Sequence, residues 1–269
     1  MAIDRNRWAA RQRRLFAQLE RKAFRRVRAE IVRASKEIIR VYSITGEVHQ
    51  ARNHFANIQA IYLETSQDSI SASEDEFAKQ FKALGLRLET KQDANTWANE
   101  YIQGELMRER IVDVADATRR KIVEGVQAGY EQGLGQRGIA DEILRRVPEI
   151  SVRRAAVIAR TETHGAANYG AQRQAQTSKF PMKKIWLAGE DIRTRRTPRD
   201  AFDHLGSDGQ EVGLNDPFLI PTKAGGVEAL QYPGDPAGSA ANVINCRCSM
   251  AHRIDVDIDT DDMFAGIEL

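Results

Sequence analysis

Two cysteines one residue apart, Cys246 and Cys248, and a scatter of His, Arg, Asp and Glu motifs beyond residue 150 are the side chains of this 269-residue chain whose types and spacing could do chemistry. With His204, His164 or His252 the cysteines offer the donors of a Cys2His2 zinc site. The C-x-C spacing is not that of structural zinc, however, so both cysteines are expected as buried packing, with Asn245 and Arg247 bonding loop backbone. No metal and no other cofactor is expected, zinc being the one alternative weighed. A second chemistry would be an active site of a nuclease or an ADP-ribosyltransferase-like enzyme. His204 or His164 would be the general base, Glu162 its partner, and Arg195 the group facing a phosphoryl transition state. Such a transferase also wants a Glu-x-Glu pair, and none lies near the C-terminal strands. The leading account is structural. Arg160, Arg193, Arg195 and Arg247 can pin long loops through bidentate pairs with Glu162, Asp191, Asp208 and Asp235. No residue is assigned a catalytic role.

These motifs come in a definite order. Ala159-Arg160-Thr161-Glu162-Thr163-His164 is followed by Asn168, by Trp186 to Arg195 with its Asp191-Ile192-Arg193-Thr194-Arg195, and by His204 with Asp208-Gly209-Gln210. Asp216-Pro217-Phe218, Tyr232-Pro233-Gly234-Asp235-Pro236 and Asn245-Cys246-Arg247-Cys248 complete the series. The ordered set, over roughly residues 151–253, resembles the phage Mu F-like head morphogenesis family. The resemblance implies a non-enzymatic minor head (capsid) protein of a tailed phage, present in few copies and acting in head assembly and in DNA packaging or delivery. It implies the portal protein and other head proteins as partners, and no small-molecule substrate. It places the protein in the virion, inside the capsid near the portal, and in the host cytoplasm during assembly. Some relatives carry a further cysteine pair after the D-x-R-T element and a histidine two positions before N-C-R-C. The corresponding positions here are Arg195, Pro198 and Val243, so three of the ligands a metal knot would use are missing.

The elements that must position these residues are mostly helical. From Arg5 to Tyr42 there is no Gly or Pro, and Trp8, Leu15, Leu19, Ala23, Val27, Ile31, Ala34, Ile38 and Val41 recur three or four apart, predicting one long amphipathic helix. At about 1.5 Å per residue it reaches roughly 55 Å, and its stripe needs a partner, suitably the portal or sister helices. A break near Thr45-Gly46 precedes a helix from about Val48 to Glu64, and Ser73-x-x-Glu76 reads as a capping box opening a short helix through Ala83. Helical spacing resumes from about Lys91 to Gln132, broken once near Gly104. Gly133-Leu134-Gly135-Gln136-Arg137-Gly138 matches a dinucleotide-loop string but follows a helix, so it is read as a helix C-cap and turn. A short helix, Ile139 to Val147, should end at Pro148, and another should run from Val152 to Gln176.

Beyond Lys179 helical periodicity stops and six of the seven prolines appear. The fold class expected is α+β: a long-helix N-terminal region followed by a small mixed α/β C-terminal module with short strands and ordered loops. The expected divisions are a basic amphipathic helix (1–44), a helical domain (45–150), the Mu F-like domain (151–254) and an acidic tail (255–269). Trp8, Trp97 and Trp186 are expected as packing anchors, and His49 and His54 as helix-face residues without companion ligands.

Net charge is only +2, yet residues 1–40 hold 13 basic against 4 acidic side chains, a local +9, leaving −7 for the remainder. Arg11, Arg13, Arg14, Arg21, Lys22, Arg25, Arg26, Arg28 and Arg33 could neutralise phosphates of double-stranded DNA, or form a solvated face. The cysteine usage fits a reducing compartment, and no apolar run suits a signal peptide or a membrane span.

Overall fold

The computed structural model describes residues 5–45, 47–48, 57–83 and 94–255; the side chains of 105, 106, 108–115, 146 and 148–150 are outside that description. His49, His54 and the acidic tail beyond Asp255 therefore lie outside the described residues. The fold is α+β. Five longer helices, α1 (Arg5–Thr45), α2 (Ile58–Ala83), α3 (Ala94–Gln103), α4 (Glu105–Glu131) and α5 (Gln136–Gln176), precede a module of short strands.

Helix α1 buries Trp8, Gln12, Phe16, Ala23, Val27, Ile31, Ala34, Ile38 and Tyr42, a stripe at a period near 3.6 residues. Leu15, Leu19 and Val41 stand at its flanks, half-buried, and Phe16 takes the central place. The stripe is covered by the chain's own α5 and α2, so it is not a free face for portal or sister helices. Each large side chain so buried contributes about 1.5–3 kcal/mol before conformational entropy is counted. Trp97 from α3, Met107 and Ile122 from α4 and Ile139 and Ile143 from α5 close the same core.

Two expected helix boundaries are absent. Ser73 and Glu76 lie inside α2, where Ser73 is buried and Glu76 pairs with Arg11 at 3.6 Å, so they cap nothing. Helix α2 buries Thr65, Ser66, Ser69 and Ser73, small hydroxyl side chains that read as surface or cap in the sequence. Small residues let α2 approach α5 closely: a Cβ on Gly170 of α5 would lie 3.0 Å from the Ile70 Cα. Helix α5 likewise runs through Pro148, and its burial on α1 and α2 outweighs the one ladder bond a proline N omits. The breaks at Gly104 and after Gln132 are present. Gly133 (φ +71°) closes α4, with Gly133 N–H and Leu134 N–H donating to Tyr130 O and Gly129 O. The glycine string thus joins two helices, without the strand a dinucleotide loop requires.

The module contains β1 (Met182–Leu187), β2 (Glu211–Gly213), β3 (Phe218–Pro221), β4 (Val227–Leu230), a short α6 (Ala240–Val243) and β5 (Ser249–Ile254). Strands β2, β1 and β5 form an antiparallel sheet in that order, with Lys184 opposite Val212 and His252, and β3 pairs with β4. Trp186, Phe218, Leu230, Val243, Cys246, Cys248 and Met250 form its core with Ala171 of α5. A separate cluster joins Trp8 and Ala9 to Ile185, Leu187 and Ala251, fixing the start of α1 to the sheet.

Candidate functional site

Helix α5 presents Arg160, Thr161, His164 and Asn168 at i, i+1, i+4 and i+8, one face turned toward the N-C-R-C turn and α1. Arg160 donates to Asn245 Oδ1, and Thr161 Oγ1 accepts the Asn245 N–H at 2.8 Å while donating to Val157 O. Asn245 stands at φ +63°, a left-handed conformation Asn tolerates better than most side chains. Asn168 Nδ2 donates to Pro233 O at 2.9 Å and Cys248 O at 3.2 Å, joining the Y-P-G-D-P and N-C-R-C turns to the helix. From α1, Glu20 accepts from Arg160 Nε at 3.2 Å and meets His164 Nε2 at 2.7 Å. Burial opposes ionisation of Glu20, but His164, Arg160 and Arg247 outweigh it and hold the carboxyl below its usual range. Glu20 was not foreseen. Its signal is that it is the lone acid between Arg5 and Ala29 on an arginine-rich helix.

Of the bidentate Arg–carboxylate scheme, Arg247 Nε pairs with Asp191 Oδ2 at 3.2 Å. The carboxylates of Asp191, Asp235 and Asp208 also accept from backbone N–H groups. Asp191 accepts from Arg193 N at 2.8 Å, and Asp235 accepts from Gln231 N and Ala237 N at 2.8 and 3.0 Å. Asp208 accepts from Ala188 N at 2.9 Å and pairs with Arg5 of α1. Arg195 donates to Ile244 O, and the Arg193 side chain is exposed. Gly209 (φ +78°) passes its N–H to Trp186 O, and Gln210 exchanges two side-chain hydrogen bonds with the Leu219 backbone, acting as a surrogate strand residue beside β3. Turns leave unpaired N–H groups, and a short carboxylate accepts from them locally, whereas a guanidinium carries only donors.

The enzyme alternative requires His204, His164, Glu162 and Arg195 to converge. They have separate surroundings. His164 packs edge-on against Phe16 with centroids 4.4 Å apart and bonds Glu20, and Glu162 is buried in mid-helix. His204 is buried in the module's core, T-shaped against Trp186 at 5.4 Å.

What His204 does meet is the cysteine pair. Its Nδ1 lies 3.6 Å from Cys246 Sγ and 3.5 Å from Cys248 Sγ, while its Nε2 is 2.6 Å from Asn242 Oδ1 on α6. Cys248 N–H donates to Cys246 Sγ at 3.4 Å, and Gly189 N–H bonds Cys248. Hydrogen bonding from Cys248 and the His204 ring pull the Cys246 thiol well down, while burial pushes Cys248 well up. Three residues that could hold a metal ion are thus assembled, and all three are buried. The sequence offered three candidate histidines for this role. His252 is on β5 with its ring against Phe77, and His164 belongs to the α1 seam.

The basic candidates on α1 divide in two. Arg11, Arg13, Lys22 and Arg26 pair with Glu76, Glu190, Asp68 and Asp68 at 3.6, 3.3, 2.8 and 2.6 Å, and Arg33 pairs with Glu30 at 2.7 Å. Arg14, Arg21, Arg25 and Arg28 are exposed and make no ion pair among the described residues. Their spacing of seven, four and three puts them on one face.

A helical body stitched by one face of its last long helix to a small antiparallel module of polar turns is the class of protein these observations define. Residues 120–251, just under half of the chain, match the family described as Phage Mu protein F like protein, and over this segment the chain resembles that family. The match begins within α4, some thirty residues before the expected boundary. Uncharacterized protein YqbB of Bacillus subtilis (strain 168) is 25% identical over 150 residues, which are 55% of this chain and 47% of YqbB. The chain therefore spans about half the length of this curated relative. No solved structure matches the chain. Among the described residues no helix is long and apolar enough to cross a membrane.

Proposed function

We propose that this chain is a minor head protein of a tailed phage, binding the portal and other head proteins during capsid assembly and DNA packaging or delivery, without catalytic activity. The observation that carries this reading is the match to the Phage Mu protein F like family over residues 120–251, joined to polar motifs spent on loop and helix contacts rather than gathered around a substrate. On this reading the protein resides inside the capsid near the portal and in the host cytoplasm during assembly. Binding of double-stranded DNA falls to the Arg14, Arg21, Arg25 and Arg28 face, since its neighbours are already neutralised within the chain.

The test is co-purification of the full-length chain with its cognate portal protein. A portal that elutes alone at micromolar concentrations of both partners sinks the proposal. For the DNA interaction, duplex affinity is measured against salt for the chain and for a variant with Arg14, Arg21, Arg25 and Arg28 changed to Gln. Each phosphate that the variant no longer neutralises should flatten the logarithmic salt slope by about 0.9. An unchanged slope removes DNA from the proposal and leaves the portal intact.

A further inference from the structure

We propose that His204 Nδ1, Cys246 Sγ and Cys248 Sγ bind one zinc ion, a site that ties the 200–210 loop to the terminal turn of the module. The first support is distance. A tetrahedral ion bonded at about 2.3 Å to sulfur and about 2.0–2.1 Å to nitrogen sets its S and N ligands about 3.5–3.6 Å apart. The two Sγ···Nδ1 separations here are 3.6 and 3.5 Å.

The second support is the ring's tautomer. Asn242 Oδ1 can only accept, so at 2.6 Å it takes the proton of Nε2 and leaves the Nδ1 lone pair aimed between the two sulfurs. This is the second shell that metal-bound histidines use, an acceptor holding the far nitrogen. A cation there would satisfy the Nδ1 lone pair and both sulfurs at once. Backbone N–H groups of Cys248 and Gly189 already donate to the sulfurs, as they would to thiolates.

The third support is charge. Two thiolates neutralise a dication, which suits donors at 1%, 2% and 1% exposure. Binding requires both sulfurs as thiolates and releases to solvent whatever thiol protons they still carry. The described residues supply three donors, so the fourth position is left to water. The site does not depend on the portal proposal and can fail or hold separately from it.

The experiment uses the full chain, purified under reducing conditions without chelator. Elemental analysis should find about one zinc per chain, and Co(II) exchanged into the site should give thiolate-to-cobalt charge transfer with intense tetrahedral d–d bands. Cys246→Ser with Cys248→Ser should abolish the charge transfer. Asn242→Leu, which removes the acceptor and leaves all three ligands, should weaken zinc about 10–100-fold in competition with a chromophoric chelator. A double-serine variant that fails to fold still leaves the cobalt spectrum of the native chain to decide. The proposal is overturned by a folded native chain that takes up neither zinc nor cobalt while both thiols are free. It is equally overturned if Cys246 and Cys248 are joined as a disulfide when isolated.

Discussion

Lys184 and His252, opposite each other on β1 and β5, are both fully buried, and burial acts on both in the same direction. The Lys184 ammonium donates to Gln231 O at 2.8 Å, yet desolvation pushes it down to about 8 against the opposing pull of Asp216 and Asp235. Between pH 8 and 10.5 the unfolded lysine is protonated while the folded one has lost its proton. Stability should therefore rise with pH across that window by up to about 1.4 kcal/mol per unit from this group. Chemical denaturation of Lys184→Met should lack that rise; if the variant keeps it, the lysine is not its source. Desolvation and then the Lys184 charge push His252 down to about 3, and neither ring nitrogen has a hydrogen-bond partner among the described residues. Below pH 6.5 the unfolded imidazole takes a proton that the folded one refuses, so stability falls toward pH 3 with a similar slope. His252→Leu should flatten the acid limb, and an unflattened limb would assign it to other groups. Much at this scale was legible. The ordered Arg, Asp, Asn and Cys motifs do hold the module, but in partnerships the sequence hid. Asp235 and Asp191 serve backbone N–H groups a few residues away, and Glu20 reaches Arg160 from another helix.

Helix α5 organises the elements, and its contact with the Y-P-G-D-P turn explains the glycine there. Gly234 has φ +83°, and a Cβ on it would lie 3.1 Å from Gly165 Cα; one on Gly165 would meet Tyr101 Oη at 2.5 Å and Gly234 O at 3.1 Å. Two backbones touch where side chains cannot fit. Gly165→Ala and Gly234→Ala should each lower stability by about 1–3 kcal/mol, and the pair together by less than the sum, because either change already forces the turn off the helix. Full additivity in urea melts would show that the two glycines do not share a contact. The helices themselves were readable from 3.6-residue spacing, and Gly104 and Gly133 from composition. The capping box in α2 and the stop at Pro148 misled for one reason. Local signals describe an isolated helix, whereas α2 and α5 are each held along their length by neighbours. Buried Ser66, Ser69 and Ser73 carry no apolar signature at all.

Across the whole molecule, α1 is built into the fold, although its composition sets it apart as a basic arm. Trp8, Val27, Ile31, Ile38 and Tyr42 belong to two cores, and Trp8 Nε1 donates to Met250 O at 3.2 Å. A chain lacking residues 1–44 should lose cooperative unfolding by near-ultraviolet circular dichroism. Were it to melt cooperatively near the native midpoint, α1 would be an appendage after all. Any DNA or portal experiment is therefore better made with arginine substitutions on the exposed face than by truncation. The α+β division was legible from the end of helical spacing near Lys179 and the prolines beyond it. The closure of α1 against β5 was not, because packing between distant segments leaves no local pattern.

That closure has a consequence in time. Trp8 and Met250 are 242 residues apart, so a ribosome adding about 5–20 residues per second leaves the first helix without its last partner strand for roughly 12–50 s. Until β5 emerges, Trp8 and Ala9 lack Ala251 and the Met250 carbonyl, with only Ile185 and Leu187 of β1 to complete their cluster. The surface around the start of α1 is therefore finished only after β5 has been made.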